Sequence, residues 1–187
     1  METNHLLCGE TMDLLKQLNS RRIGIGWGHF IGHLVNWVNE QPTSWQGITN
    51  ICPLMGNAAV PIRNYQSNEN VRLLAHKLRG APHFLHLPAL AESMEEKGLL
   101  CSTEQYKLIE EQWGLMDTAL VNIGNYPATP DFASGARYGT ALQKERACGR
   151  LLAYYFNTDG KIITSDQDFA IQIPIRELKH CPNVVGL

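Results

Sequence analysis

No apolar run in this chain approaches the roughly 20 residues that cross a bilayer as a helix, so neither a spanning segment nor a membrane partner is expected. Cysteine is sparse. Its five positions, Cys8, Cys52, Cys101, Cys148 and Cys181, are scattered, odd in number and without a C-x-x-C. That pattern argues against a disulfide framework and leaves reduced thiols of a cytoplasmic protein, mostly small core residues. Charge of neither sign dominates: 16 Lys and Arg stand against 18 Asp and Glu, a net charge of −2. Such a balance gives no general electrostatic reason to bind nucleic acid. Any surface acting on DNA is therefore local or lies outside this chain. Residues Met1 to Gly9 carry acid and no basic n-region, so a secretory signal is not expected either. Repeats, linkers and low-complexity tracts are missing.

The remainder reads as one folded unit. At 187 residues, 44% hydrophobic and 18% charged, the chain is long and apolar enough for a sizeable core. Its most telling stretch is Ile23-Gly24-Ile25-Gly26-Trp27-Gly28, a short buried strand breaking into a glycine-rich loop before an amphipathic helix from His29 to Gln41. Two later segments repeat the pattern: Ile48 to Asn57, through Pro53-Leu54-Met55-Gly56-Asn57, and Thr118 to Asn125, ending in Ile123-Gly124-Asn125. Apolar strands ending in glycine turns suit an open α/β sheet, where ligands sit beyond the strands' carboxyl ends.

Other elements follow from period and punctuation. Helices are expected over Thr11 to Arg22, from Ser67 to Leu78, over Ala89 to Lys97 and from Ser102 to Trp113, the last with a Ser102/Gln105 capping box. Phe84 to Leu87 reads as a short strand stopped by Pro88. Asn125 to Gly139 reads as a long loop of Pro, Gly and small residues. After Gly149 comes a β-hairpin, Leu151 to Phe156 and Lys161 to Thr164 around Asn157-Thr158-Asp159-Gly160. Phe169 to Ile175 and Asn183 to Val185 read as further strands. A strand running straight into Gly186-Leu187 suggests a piece of something longer.

Each candidate site has two readings. Gly26-Trp27-Gly28-His29 could cradle an anion on backbone N–H groups at a helix start, with Trp27 covering a sugar face and His29 donating a hydrogen bond. Alternatively it is a tight strand–helix turn with Trp27 packed inside. Met55-Gly56-Asn57 and Ile123-Gly124-Asn125 each place a glycine and an amide past a strand end, which suits hydroxyl recognition or ordinary turns. Arg63, Arg137 and Arg146 are loop cations able to pair a phosphate, Arg63 foremost. His29 and His33 lack a third metal ligand, so no metal or other cofactor is expected. Asp117, Asp131 and Asp159 form no nameable acid–base pair, and Cys52 and Cys148 have no nearby base, which weighs against an enzyme.

In this order, Gly24-Ile25-Gly26-Trp27-Gly28, Pro53 to Asn57, Leu87-Pro88-Ala89, Ile123-Gly124 and the stretch from Cys148-Gly149-Arg150 to Asp159-Gly160 resemble the effector-binding domain of the SorC family of bacterial sugar-operon regulators. The resemblance spans roughly Met12 to Leu187. It implies a Rossmann-like three-layer α/β/α fold with a mostly parallel sheet, related to ribose-phosphate isomerase and glucosamine-phosphate deaminase. It implies a sugar or sugar phosphate at the strand-end loops, with Gly149 added to the ligand positions. It further implies self-association as a dimer or tetramer, and operator DNA held through a helix-turn-helix that this sequence lacks. The chain departs from the pattern at His29, where the family has a small hydroxyl residue, and at Arg150, where an acid often follows the glycine. It also ends before the family's Ala-Gly-Gly…Lys loop. The alternatives are a sugar-phosphate isomerase or deaminase-like enzyme using His29 or Asp131 as base, and a fragment serving assembly alone.

Overall fold

The computed structural model describes residues 2–42, 45–127 and 131–187. In chain order it runs α1 (Glu2–Gln17), β1 (Arg22–Ile25), α2 (His29–Glu40), β2 (Asn50–Pro53), a 3-10 turn at Arg63–Tyr65, α3 (Ser67–Leu78), β3 (Ala81–Pro82), α4 (Met94–Cys101), α5 (Glu104–Leu115) and β4 (Thr118–Val121). It continues through β5 (Ile123–Asn125), α6 (Ser134–Tyr138), α7 (Ala141–Lys144), β6 (Ala147–Leu151), β7 (Tyr154–Asn157), β8 (Ile162–Ile163), α8 (Ile175–His180) and β9 (Asn183–Gly186).

Five strands form a parallel sheet in the order β3-β2-β1-β4-β9. Because strand side chains alternate between faces, the sheet feeds two cores. Ile23, Ile25, Ile51 and Leu120 point into the layer of α1, α2 and α3, with Leu34, Val35 and Leu74. Cys52, Ala119 and Val121 point to the opposite layer, with Ile109 and Trp113 of α5 and Leu178 of α8. Strands covered on both faces read as continuous apolar runs, as these do. The fold is therefore three-layer α/β/α. From β1 the chain winds outward to β3, then crosses back to β4 on the other side of β1, so the strand order reverses between β1 and β4.

A second, antiparallel sheet, β5-β6-β7-β8, grows from the end of β4. The expected hairpin around Asn157 to Gly160 is its β7–β8 corner, where the Asn157 side chain accepts from Asp159 and Lys161 N–H groups, both at 3.0 Å. Leu151, however, closes β6. Leu152 and Ala153 make a turn, with Leu152 left-handed at φ 53°.

Several expected boundaries move. The first helix begins at Glu2 rather than Thr11 and ends at Gln17. Ala89 to Ser93 is not helical, and α4 starts where the Ser93 hydroxyl accepts the Glu96 N–H. The cap of α5 is Thr103, accepting from Tyr106 N–H, not Ser102. Phe84 to Leu87 is not a strand; pairing there ends at β3. Phe169 to Ile175 makes isolated bridges with Leu90 and Met55 rather than a strand. Of the loop expected from Asn125 to Gly139, residues 128–130 lie outside the described residues, Ile123 to Asn125 is strand and Ser134 to Tyr138 is helix.

Candidate functional site

The loops after β1, β2 and β4 leave neighbouring strands of a parallel sheet, so they emerge at one edge. At the centre, Gly26 still bonds to the sheet, its N–H donating to Leu120 O at 2.8 Å. Gly28 then turns the chain at φ 112°, a conformation that side chains resist, and α2 begins at His29. A Cβ on Gly28 would lie 3.2 Å from the Asn122 side chain, which places Asn122 against the start of α2 where the strand order reverses. Asn64 closes the other side: its carbonyl accepts Gly28 N–H at 3.0 Å, and its side chain fills the space over Gly32. His29 is exposed, 3.5 Å from the Asn64 amide and edge-on to Tyr65.

Trp27 does not offer a ring face to a ligand. It is 3% exposed, with Phe132 stacked on it at 4.5 Å and Tyr65 edge-on at 5.4 Å. Beside this stack lies a cleft of about 240 Å³ between Asn57 to Val60, Pro88 to Leu90 and Asp131 to Ala133. Its wall is largely apolar, with Asn57 and Asp131 as polar side chains, the balance common to small-molecule sites. Asn57 is fixed there by three bonds: its side-chain oxygen accepts Asn68 N–H at 3.1 Å, its N–H donates to Leu87 O, and its carbonyl accepts Ala89 N–H.

Other expected positions are occupied by packing. Met55 is fully buried, and a Cβ on Gly56 would lie 2.3 Å from the Pro88 carbonyl oxygen, so that glycine admits backbone rather than a guest. Ile123, Gly124 and Asn125 are not a bend but β5, paired with Leu151, Arg150 and Gly149. Gly149 makes room for the Phe156 ring, 2.4 Å from where its Cβ would be. Arg63 reaches toward the Gly32 carbonyl at 3.5 Å, and its Nη2 is buried without a hydrogen-bond partner among the described residues. Arg137 is wholly buried and bound to Asp168, and Arg146 is exposed.

Asn122 and Phe132 escaped the sequence reading. Asn122 precedes the Ile-Gly-Asn triplet that drew attention, and Phe132 sits in a segment with no periodicity. An aromatic in a long loop of a chain with a buried strand-end tryptophan was the available signal. Burial raises the phenols of Tyr106, Tyr138 and Tyr154, so these tyrosines stay protonated donors. No group of three or more metal-ligating side chains occurs among the described residues.

Known proteins share this fold. The curated sorbitol operon regulator of Klebsiella pneumoniae is 23% identical over 172 residues, covering 88% of this chain and 54% of that protein. The chain thus spans about half the length of the curated relative it matches. The crystal structure of the full-length sorbitol operon regulator SorC from Klebsiella pneumoniae superposes with a TM-score of 0.80 at 22% identity, covering 99% of this chain and 61% of that one. A DeoR family transcriptional regulator from Listeria monocytogenes gives 0.77 at 24% identity, covering 98% and 73%. At these identities the structural likeness establishes the fold. These relatives are transcriptional regulators, not enzymes. Residues 6–187 match the family described as "Putative sugar-binding domain", and the chain belongs to that family.

Proposed function

We propose that this chain is the effector-binding domain of a sugar-responsive transcription regulator, taking a sugar or sugar phosphate at the strand-end crevice. The observation that carries this reading is the meeting of three loops at the reversal of strand order, with the free start of α2, Asn122 and the Asn57–Asp131 cleft side by side. N–H groups and helix dipole favour an oxyanion there, while amide and carboxylate side chains suit hydroxyls. The N–H groups at the start of α2 and the side chains of His29, Asn57, Asn122 and Asp131 are the contacts we assign. Trp27 supports them from below. Its relatives' names support the regulatory role: a bound effector biases one arrangement of a self-associated dimer or tetramer, and operator DNA is held by a helix-turn-helix outside this sequence.

The test is thermal unfolding of the chain with a panel of pentoses, hexoses, hexitols and their phosphates. A ligand at a hundredfold its Kd adds about 2.7 kcal/mol to stability, a rise easily read in Tm. In the intact regulator the same ligand changes operator affinity. A flat panel in both measurements overturns the proposal.

A further inference from the structure

We propose that the cleft between Asn57 and Asp131 selects a deoxy sugar. The far end of the effector enters this cleft as a methyl group rather than a hydroxymethyl, while its phosphate or hydroxyl-rich end stays at the start of α2. This inference rests on the effector reading and narrows it to a class of sugar.

The wall of the cleft is built from alanine, valine, proline, leucine and phenylalanine side chains, with Asn57 and Asp131 as the polar ones. Main-chain groups could still bind hydroxyls in such a site, but here most are engaged within the fold. The Asn57 carbonyl accepts Ala89 N–H and the Ala89 carbonyl accepts Ile171 N–H, each at 2.8 Å. The Gln66 amide donates to Ala58 O and Val60 O, both at 2.9 Å. Phe132 O accepts from Arg137 Nη1 at 3.2 Å, and Ala133 O from Arg137 N–H at 2.9 Å. Among donors, Asn57 N–H is bound to Leu87 O at 3.0 Å and Ala58 N–H to Tyr65 O at 3.1 Å, while Pro88 has no N–H. A hydroxyl pushed among these groups gives up water and gains few partners, which is costly. A methyl group gives up nothing and gains apolar contact.

Two side chains remain for the sugar beyond that methyl. Asn57 Oδ1 accepts Asn68 N–H at 3.1 Å, which leaves its amide nitrogen as a donor. Asp131 accepts from Ser134 through each oxygen at 3.0 Å, and a carboxylate keeps further lone pairs for a hydroxyl. No cationic side chain lines the cleft among the described residues, so the carboxylate of Asp131 turns an anionic end group away. That end belongs at α2 instead. There the N–H groups of His29, Phe30 and Ile31 precede the first helical bond, from Gly32 N–H to Gly28 O at 2.9 Å.

Matched pairs test the class by calorimetric titration of the chain. Each sugar and sugar phosphate of the effector panel is set beside its counterpart lacking the terminal hydroxyl at the end away from any phosphate. Glucose 1-phosphate with 6-deoxyglucose 1-phosphate, and a hexitol 6-phosphate with its 1-deoxy form, are such pairs. In whichever configuration binds, the deoxy member is expected to bind about tenfold tighter or more, the discrimination that one buried, unpaired hydroxyl gives. A hydroxylated parent that binds as tightly as its deoxy counterpart overturns the inference and leaves the effector reading standing. Isotope-filtered NMR then reads the orientation. Nuclear Overhauser contacts from the sugar methyl to the methyl groups of Ala58, Val60 and Leu90 are expected. Contacts from that methyl to His29 instead overturn the placement, even where the deoxy preference holds. No binding by either member of any pair overturns the effector reading, and the inference falls with it.

Discussion

The Phe132 ring lies over Trp27 with centroids 4.5 Å apart and planes 24° from parallel, so an aromatic from the long loop seals the strand end of the central sheet. Both rings are nearly buried, and the guanidinium carbon of Arg150 lies 4.9 Å from the Phe132 ring centroid. Phe132 is held by its backbone too, its carbonyl accepting from Arg137 Nη1 at 3.2 Å. The crevice floor is thus a pair of stacked rings, with one arginine against the Phe132 ring and another bonded to its carbonyl.

Removing the upper ring tests that floor. Phe132→Ala is expected to lower stability by about 3 kcal/mol, the low end for buried phenylalanines. In a chain of this size that corresponds to roughly 6–12 °C in Tm. Phe132→Leu, which refills most of the space, should lose less than half as much. Calorimetry on the two variants checks the order.

Arg137 of α6 and Asp168, in the segment after β8, form a buried ion pair. Arg137 Nη2 also donates to Ala153 O at 2.7 Å, and the Tyr138 hydroxyl donates to Asp168 at 3.1 Å. Breaking such a pair strands a charge and costs about 3–5 kcal/mol. Arg137→Met and Asp168→Asn should each fall near that range. The double variant Arg137→Met/Asp168→Leu should lose less than the sum of Arg137→Met and Asp168→Leu, because neither charge is left alone. Urea unfolding of all the variants measures the coupling.

Glycines divide sharply by what stands over them. At Gly56 the obstacle is the Pro88 and Leu87 backbone, at 2.3–2.6 Å from an added Cβ, and backbone cannot swing aside. Gly56→Ala is expected to disrupt the cleft wall and to cost more than about 2 kcal/mol, as overpacking does. Gly98 in α4 and Gly114 in α5 have open space. Alanine there should stabilise by up to about 1 kcal/mol, the helix-propensity difference. Opposite signs in one set of melting curves would verify the contrast.

The central sheet was legible in the sequence because its chemistry is repetitive. Ile23, Ile25 and Ile51, with Ala119 to Val121, are covered on both faces, so burial wrote itself as apolar runs ended by glycine. Elements completed by side chains were not legible. Leu85 looks like strand, yet its N–H donates to the Asn68 side-chain oxygen at 2.9 Å and its carbonyl accepts from the Asn68 amide at 3.1 Å, so one side chain replaces a neighbouring strand. Phe169 to Ile173 alternates correctly but splits its bonds between Ala89 to Ala91 and Leu54 to Gly56, and no ladder forms. At the site, adjacency of the three strand ends followed from the parallel order. The partners of Trp27 and Gly28 did not, because Phe132 and Asn122 reach them across more than 90 residues of chain.

The thiols report on both cores through pH. Burial pushes the Cys52 thiol up to about 12, with Cys181 adding to the effect, and burial raises Cys8 to about 11. A raised folded value means that the folded chain keeps a proton which the unfolded chain gives up near its ordinary value of about 9. Stability from these groups is therefore complete below pH 9 and declines as pH rises toward 11 for Cys8 and 12 for Cys52. Replacing both by alanine should flatten that alkaline decline, whatever the change in stability at neutral pH. Labelling follows the same logic: at pH 8 a thiol-alkylating reagent should modify exposed Cys148 first and leave Cys8 and Cys52 until the chain unfolds. Mass spectrometry of the partly labelled protein reads the order directly, and early modification of Cys52 would mean that the α5 side of the sheet is open to solvent.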